Sequence, residues 1–166
     1  MTHSLSGGCA CGTVRYEMLS EPMLVHCCHC LNCQRQTGSA FALDAIIETD
    51  RLKLLSGDFE ITSAPTGSGR DHDIYRCANC GVEIWSVYSK TIWQRFVKVG
   101  TLDDPSAIYP SVHIYTRSKL PWVTIPAGEL SFEAGYDMAQ VWPEAALERR
   151  QVALRKFERD RFLAPN

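Results

Sequence analysis

The chain has 166 residues, of which 45% are hydrophobic and 22% charged, and its formal net charge at pH 7 is −2. These values are typical of one globular domain with room for a core. The balanced charge gives no indication of binding to nucleic acid or to an anionic membrane, and no apolar stretch approaches the roughly 20 residues that span a bilayer.

The N-terminal residues 1–8 have neither the basic region nor the apolar region of a secretory signal. We therefore expect a cytoplasmic, reducing location. In that environment the eight cysteines of the chain indicate metal ligation rather than a disulfide framework.

Alternation of apolar and polar residues predicts a β-rich fold. Ser56, Gly57 and Asp58 suggest a hairpin-like connection between two of the strands, and Pro121 precedes the last predicted strand. The predicted strands cover residues 13–18, 24–28, 41–47, 52–55, 59–62, 73–77, 82–88, 96–102, 112–115 and 122–125.

A helix is predicted from Pro143 to about Leu163, because proline and early glutamates suit a helix start. Its apolar residues fall near one face, which makes the helix amphipathic. Its basic residues alternate with acidic ones, which favours a solvated face over a partner surface. The apolar face comprises Leu147, Leu154, Phe157 and Phe162.

The cysteines fall into three groups with short spacings. The first is Cys9 and Cys11, the second is Cys28, Cys30 and Cys33 with Cys27 directly in front, and the third is Cys77 and Cys80. Such spacings bring several sulfurs to one soft cation, most often tetrahedral Zn²⁺.

Two groupings of these cysteines remain open. The two outer pairs can form a closed four-thiolate site and leave the middle three for a second ion, or one pair can join the middle run. Ligand counting favours the first grouping. Residues two apart on a strand share a face, so Cys28 and Cys30 point together while Cys27 and His29 face the other side. We expect Cys27 to be a small buried apolar residue.

A zinc with three protein ligands keeps a position for water or substrate. The alternative is a fourth protein ligand, from Cys27, a histidine or a carboxylate, which would make both sites structural. Gln34 and Arg35 follow the middle run, where an arginine can hold a substrate carboxylate, although both also suit a turn. His29 is a candidate proton carrier or a packing residue.

The three cysteine segments resemble, in order, those of the glutathione-dependent formaldehyde-activating enzymes, a family that shares its domain with centromere protein V. Later segments at residues 99–105, 113–115 and 121–122 are also similar. The resemblance spans about residues 5–135.

The resemblance implies a mainly β, Mss4-like fold of folded antiparallel sheets organised around zinc, with an added C-terminal helix. It implies a structural zinc on Cys9, Cys11, Cys77 and Cys80 and a second zinc on Cys28, Cys30 and Cys33. Because three thiolates hold zinc less securely than four, we expect the second site to be only partly occupied. The resemblance further implies carbon–sulfur lyase chemistry that joins glutathione to formaldehyde.

We therefore expect a zinc domain over residues 1–135 and a helical extension over 136–166. The leading hypothesis is a two-zinc enzyme that acts on adducts of a small thiol with a small aldehyde, and the alternative is a non-enzymatic, zinc-stabilised binding module. The expected partners are the thiol and the aldehyde, with neither nucleic acid nor membrane. The oligomeric state is open, and a homodimer is one alternative.

Overall fold

The computed structural model describes residues 4–66 and 69–163. Over these residues the chain forms ten strands and three α-helices. The strands are β1 (Leu5–Gly8), β2 (Arg15–Met18), β3 (Leu24–Cys28), β4 (Ala42–Glu48), β5 (Leu52–Ser56), β6 (Phe59–Ser63), β7 (His72–Cys77), β8 (Glu83–Tyr88), β9 (Gln94–Lys98) and β10 (Val112–Ile114). The helices are α1 (Leu31–Thr37), α2 (Met138–Val141) and α3 (Glu144–Leu163).

The strands form a small and a large sheet. The small sheet has the order β1-β2-β5, and the large sheet has the order β10-β3-β4-β9-β8-β7-β6. All neighbours are antiparallel except β10 and β3, which are parallel. The predicted fold class, mainly β with a C-terminal helix, is confirmed.

The predicted hairpin at residues 56–58 is wrong. β5 pairs with β2 in the small sheet, whereas β6 pairs with β7 in the large one. The chain changes sheets at Gly57, whose φ is 88° and whose position leaves no room for a side chain, since a Cβ atom would lie 2.6 Å from the Thr13 carbonyl oxygen. Only glycine fits this crossing.

The predicted strand at residues 122–125 is also wrong. Val123 N–H donates to the Leu120 carbonyl in a turn, and Trp122 is 72% exposed. The free edge of β10 is instead taken by the segment 130–134, through backbone hydrogen bonds from His113 to Leu130 and from Phe132 to His113. A segment later in the chain than the predicted strand therefore satisfies the edge of β10.

Helix α1 was not predicted, because seven residues are too few to show an apolar period. Its ends are nevertheless well defined. The Cys30 sulfur caps the N-terminus by accepting a hydrogen bond of 3.3 Å from Cys33 N–H, and Gly38 ends the helix in the left-handed conformation at φ 65°.

The buried apolar residues form two clusters. The first, around Val14, Tyr16 and Trp85, includes residues of both sheets. The second lies against the other end of the large sheet and is covered by the C-terminal segment, where Leu147, Leu154 and Phe157 pack as predicted. The side chain of Phe162 lies outside the described residues. In the part of the chain that the structure describes, no helix has the length and apolar character needed to cross a membrane.

The C-terminal helix is also held by a buried ion pair. Arg149 donates to both carboxylate oxygens of Glu48, at 2.8 and 2.6 Å, and to the Glu21 carbonyl at 2.9 Å. The Glu48 side chain is only 3% exposed, so its charge depends on this partner.

We predict that Arg149→Met lowers the free energy of unfolding by about 3 kcal/mol, because it leaves the Glu48 carboxylate buried with only the more distant Arg51. Chemical denaturation of the zinc-loaded protein measures this loss. The control is Lys156→Met on the same helix, whose exposed pair with Asp50 contributes little. Equal losses in the two variants would contradict the assignment.

Candidate metal centres and the adjoining cavity

The first candidate centre joins the two sheets. Cys9 and Cys11 lie in the turn before β2, while Cys77 ends β7 and Cys80 lies in the following turn. Their four sulfurs all lie within 4.8 Å of one another. The Cys9–Cys11 and Cys11–Cys77 sulfur distances are 3.3 and 3.8 Å, near the roughly 3.8 Å edge of a tetrahedral zinc site with bonds of about 2.3 Å. The donor set and its geometry fit zinc.

Hydrogen-bond donors surround these sulfurs. Val14 N–H donates to Cys9 at 3.2 Å, and the Asn79 amide donates to Cys11 at 3.3 Å. Hydrogen bonds with Thr13, and then with Asn79, lower the pKa of Cys11 to about 5. These hydrogen bonds therefore favour the thiolate form of Cys11, which a metal requires.

The second candidate centre comes from the end of β3 and the start of α1. The sulfurs of Cys28, Cys30 and Cys33 lie within 4.8 Å of one another. Hydrogen bonds from Cys28, and then from Cys33, lower the pKa of Cys30 to about 2, and the pKa values of the other two thiols are raised in return. Three soft donors with Cys30 as the first to ionise also fit a zinc ion.

A cavity of about 690 Å³ lies beside this second centre. Its lining includes all three cysteine residues, aromatic side chains and several cationic groups. Besides the cysteines, the lining side chains that bear on function are Arg35, Asp44, Arg70, His72, Tyr88, Phe96, Lys98 and Arg117.

Two buried charges in the cavity wall were missed by the sequence reasoning. Asp44 on β4 and Lys98 on β9 are directly opposed in register, and Lys98 Nζ donates to the Asp44 carboxylate at 2.6 Å. Glu83 Oε1 lies 3.1 Å from the same nitrogen, outside hydrogen-bond geometry, so this contact is Coulombic. Although burial disfavours its charge, Asp44 and Glu83 raise the pKa of Lys98. The missed signal was Asp44 between apolar neighbours in β4, and Lys98 directly after the apolar pair Phe96 and Val97 in β9.

The residues predicted as substrate contacts lie in different places. Arg35 lines the cavity. Gln34 instead donates to the carbonyls of His29 and Ser118, at 2.8 and 2.9 Å, so it fixes the backbone around the second centre. His29 is fully buried on the other face of the strand, where its ring contacts Cys27 and His113.

The C-terminal segment reaches the cavity wall. The ring of His26, a lining residue, is hydrogen-bonded to the Tyr136 hydroxyl, which also accepts a bond of 2.8 Å from Trp142 Nε1. The division into residues 1–135 and 136–166 stays a prediction. The contact between Tyr136 and His26 shows that the second part packs against the cavity wall formed by the first.

Family comparison agrees with the cysteine arrangement. The family described as glutathione-dependent formaldehyde-activating enzyme matches residues 4–118, well over half of the chain. This chain belongs to that family. The family is Mss4-like, and membership associates the chain with glutathione, formaldehyde and zinc.

A solved structure was also found to be similar. It is a crystal structure of a Rhodobacter sphaeroides protein, 22% identical in sequence, and the match covers 63% of this chain and 91% of that one with a TM-score of 0.43.

We expect the two centres to differ in how much they contribute to thermal stability. We predict that Cys77→Ser removes one metal equivalent and much of the thermal stability, because closed-site zinc binding contributes directly to folding. Cys30→Ser should remove one equivalent with a smaller loss of stability, because its site ties together only β3 and α1. Metal analysis together with thermal unfolding measures both, and equal destabilisation would contradict this division.

Proposed function

We propose that this chain is a zinc-dependent enzyme of the carbon–sulfur lyase type. It would form and cleave the adduct between a small thiol, such as glutathione, and formaldehyde or another small aldehyde. The observation that carries the proposal is the location of the three-cysteine group in the wall of the large cavity, where a substrate has access to it.

The cationic lining supports a thiol that carries carboxylates. Arg35, Arg70 and Arg117 all line the cavity, and none forms an ion pair within residues 4–66 and 69–163. Guanidinium groups bind carboxylates through two parallel hydrogen bonds. Glutathione has a carboxylate at each end, so the three arginines suit it better than they suit a neutral thiol.

The chemistry needs a thiolate and a polarised carbonyl. A zinc ion held by Cys28, Cys30 and Cys33 would keep one position open and favour the deprotonated form of an incoming thiol. In the reaction the sulfur forms a bond to the carbonyl carbon, the carbonyl π electrons move to oxygen, and that oxygen takes the proton that the thiol has lost. The Lys98 ammonium in the cavity wall would stabilise the negative charge that develops on this oxygen.

Buried carboxylates hold the Lys98 ammonium in place and favour its charged form. Asp44 holds the Lys98 nitrogen at 2.6 Å, and the Lys98 side chain is only 11% exposed. The lysine therefore stays charged and fixed before substrate binds, which is the preorganisation that electrostatic catalysis requires.

One feature favours the alternative, a zinc-stabilised binding module. Leu31 and Trp122 are exposed and line a groove of about 610 Å³ beside α1, together with Leu120. Exposed apolar side chains around a groove are typical of interaction surfaces.

X-ray absorption at the zinc edge, with and without glutathione, separates these two functions. For the enzyme we expect the average sulfur coordination per zinc to rise when glutathione is added, because the thiol enters the open position. No change in the zinc environment, combined with no acceleration of adduct formation from glutathione and formaldehyde over the uncatalysed rate, would favour the binding module.

Two variants test the assigned roles, because one is expected to change KM and the other to change kcat. Arg117→Met should raise KM for glutathione about tenfold, since a hydrogen bond to a charged group contributes about 1.5–3 kcal/mol, and should leave KM for 2-mercaptoethanol unchanged. Lys98→Met should lower kcat about 100-fold with either thiol, because it removes charge stabilisation at the carbonyl oxygen.

Two controls accompany these variants. Lys156→Met removes an exposed lysine far along α3 and should change neither constant. Asp44→Asn with Lys98→Met removes both members of the buried pair, so it shows whether an unpaired Asp44 causes the effect of the single variant. An Arg117→Met effect that is equal for both thiols would sink the carboxylate assignment.

A further inference from the structure

A third group of metal-binding side chains lies on the opposite face of β3 from the second candidate centre. Cys27 and His29 alternate along the chain with Cys28 and Cys30, so they point the other way. His113 on the parallel neighbour β10 is opposite Cys27 in register. Strand pairing therefore brings one thiol and two imidazoles together.

The three donor atoms converge. His29 Nε2 lies 3.6 Å from Cys27 Sγ and 3.1 Å from His113 Nδ1, and all three atoms lie within 4.8 Å of one another. In a tetrahedral zinc site with ordinary bond lengths, sulfur and nitrogen ligands lie about 3.5 Å apart and two nitrogens about 3.3 Å apart. The observed spacings are close to both values.

Hydrogen bonding alone accounts poorly for this arrangement. A ring nitrogen has either one proton or one lone pair, directed along a single line. His29 Nε2 can therefore make one well-aligned hydrogen bond, yet both Cys27 and His113 approach it. A cation placed between the three atoms would contact all of them at once.

The group is also closed to solvent. Cys27, His29 and His113 are 2%, 0% and 7% exposed. Within the described residues, no fourth cysteine, histidine or carboxylate joins them. A thiolate with two imidazoles suits borderline and soft cations, and three such ligands are sufficient for Cu⁺, whereas Zn²⁺ would add a fourth.

We propose that Cys27, His29 and His113 form a third metal site, which takes Zn²⁺ or Cu⁺ and is separate from the two all-sulfur centres. Cys27 lies on β3, His29 directly follows that strand and His113 lies on β10, so the ion would link the edge strand of the large sheet to the strand that ends in the second centre. This role does not depend on the proposed enzymatic function.

Spectroscopy can identify the site because it contains imidazole. The other two groups have only sulfur donors among the described residues. X-ray absorption of the full chain loaded with Zn²⁺ alone should show the multiple scattering of histidine rings and one metal equivalent beyond those of the sulfur centres. A second arm adds Cu⁺ to zinc-loaded protein, where a copper edge with sulfur and imidazole neighbours would identify Cu⁺ as the preferred ion.

Substitutions then assign the signal. Cys27→Val should lose one metal equivalent and reduce the imidazole scattering while it leaves the His29–His113 contact in place. His113→Phe should lose the same equivalent. The matched control is Val25→Ala, which removes buried volume two residues away on the same face and should keep the full metal count.

Two results would overturn the proposal. One is wild-type protein without a third equivalent and without imidazole scattering in either metal arm, which would leave a hydrogen-bonded histidine pair beside a buried thiol. The other is imidazole scattering that persists in Cys27→Val at the wild-type metal count. Because Cys27→Val changes one small side chain, the test remains informative even if His113→Phe does not fold.

Discussion

The four-sulfur group of Cys9, Cys11, Cys77 and Cys80 is the constraint on which the architecture depends. One pair belongs to the turn of the small sheet and the other to a turn of the large sheet, 66 residues apart between Cys11 and Cys77. Loop-closure entropy opposes such a contact, and a mainly antiparallel β fold has few local contacts to offset it. Metal ligation would supply the missing free energy at one point and fix the two sheets relative to each other.

The alternation of side chains along β3 explains how one short strand serves two different surroundings. Cys28 points toward a cavity with charged and aromatic walls, and Cys27 points into a dry cluster with His29 and His113. Strand geometry also positions Asp44 on β4 and Lys98 on β9, since their register places opposite charges side by side in the cavity wall. The side chains of these candidate sites are therefore positioned by the alternation of residues along strands, and not by long loops.

The parts that the sequence predicts are local ones. The boundaries of β3, the convergence of closely spaced cysteines and the opposite facing of Cys27 all follow from contacts within a few residues. The separation of β5 from β6 depends on which distant strand each one meets. Which later segment pairs with β10, residues 130–134 rather than a strand at 122–125, also depends on contacts beyond the local sequence. The pairing of Asp44 with Lys98 depends in the same way on a register that periodicity cannot supply.

The sulfur of Cys30 has two tasks at once, because it is also the cap of α1. A helix of seven residues has little stability of its own and relies on its ends. Oxidation or alkylation of this thiol would therefore also loosen the first turn of the helix that presents Arg35 to the cavity. An electrophile that reached Cys30 would thus disable the proposed thiol activation and the proposed carboxylate binding together, in a single chemical event.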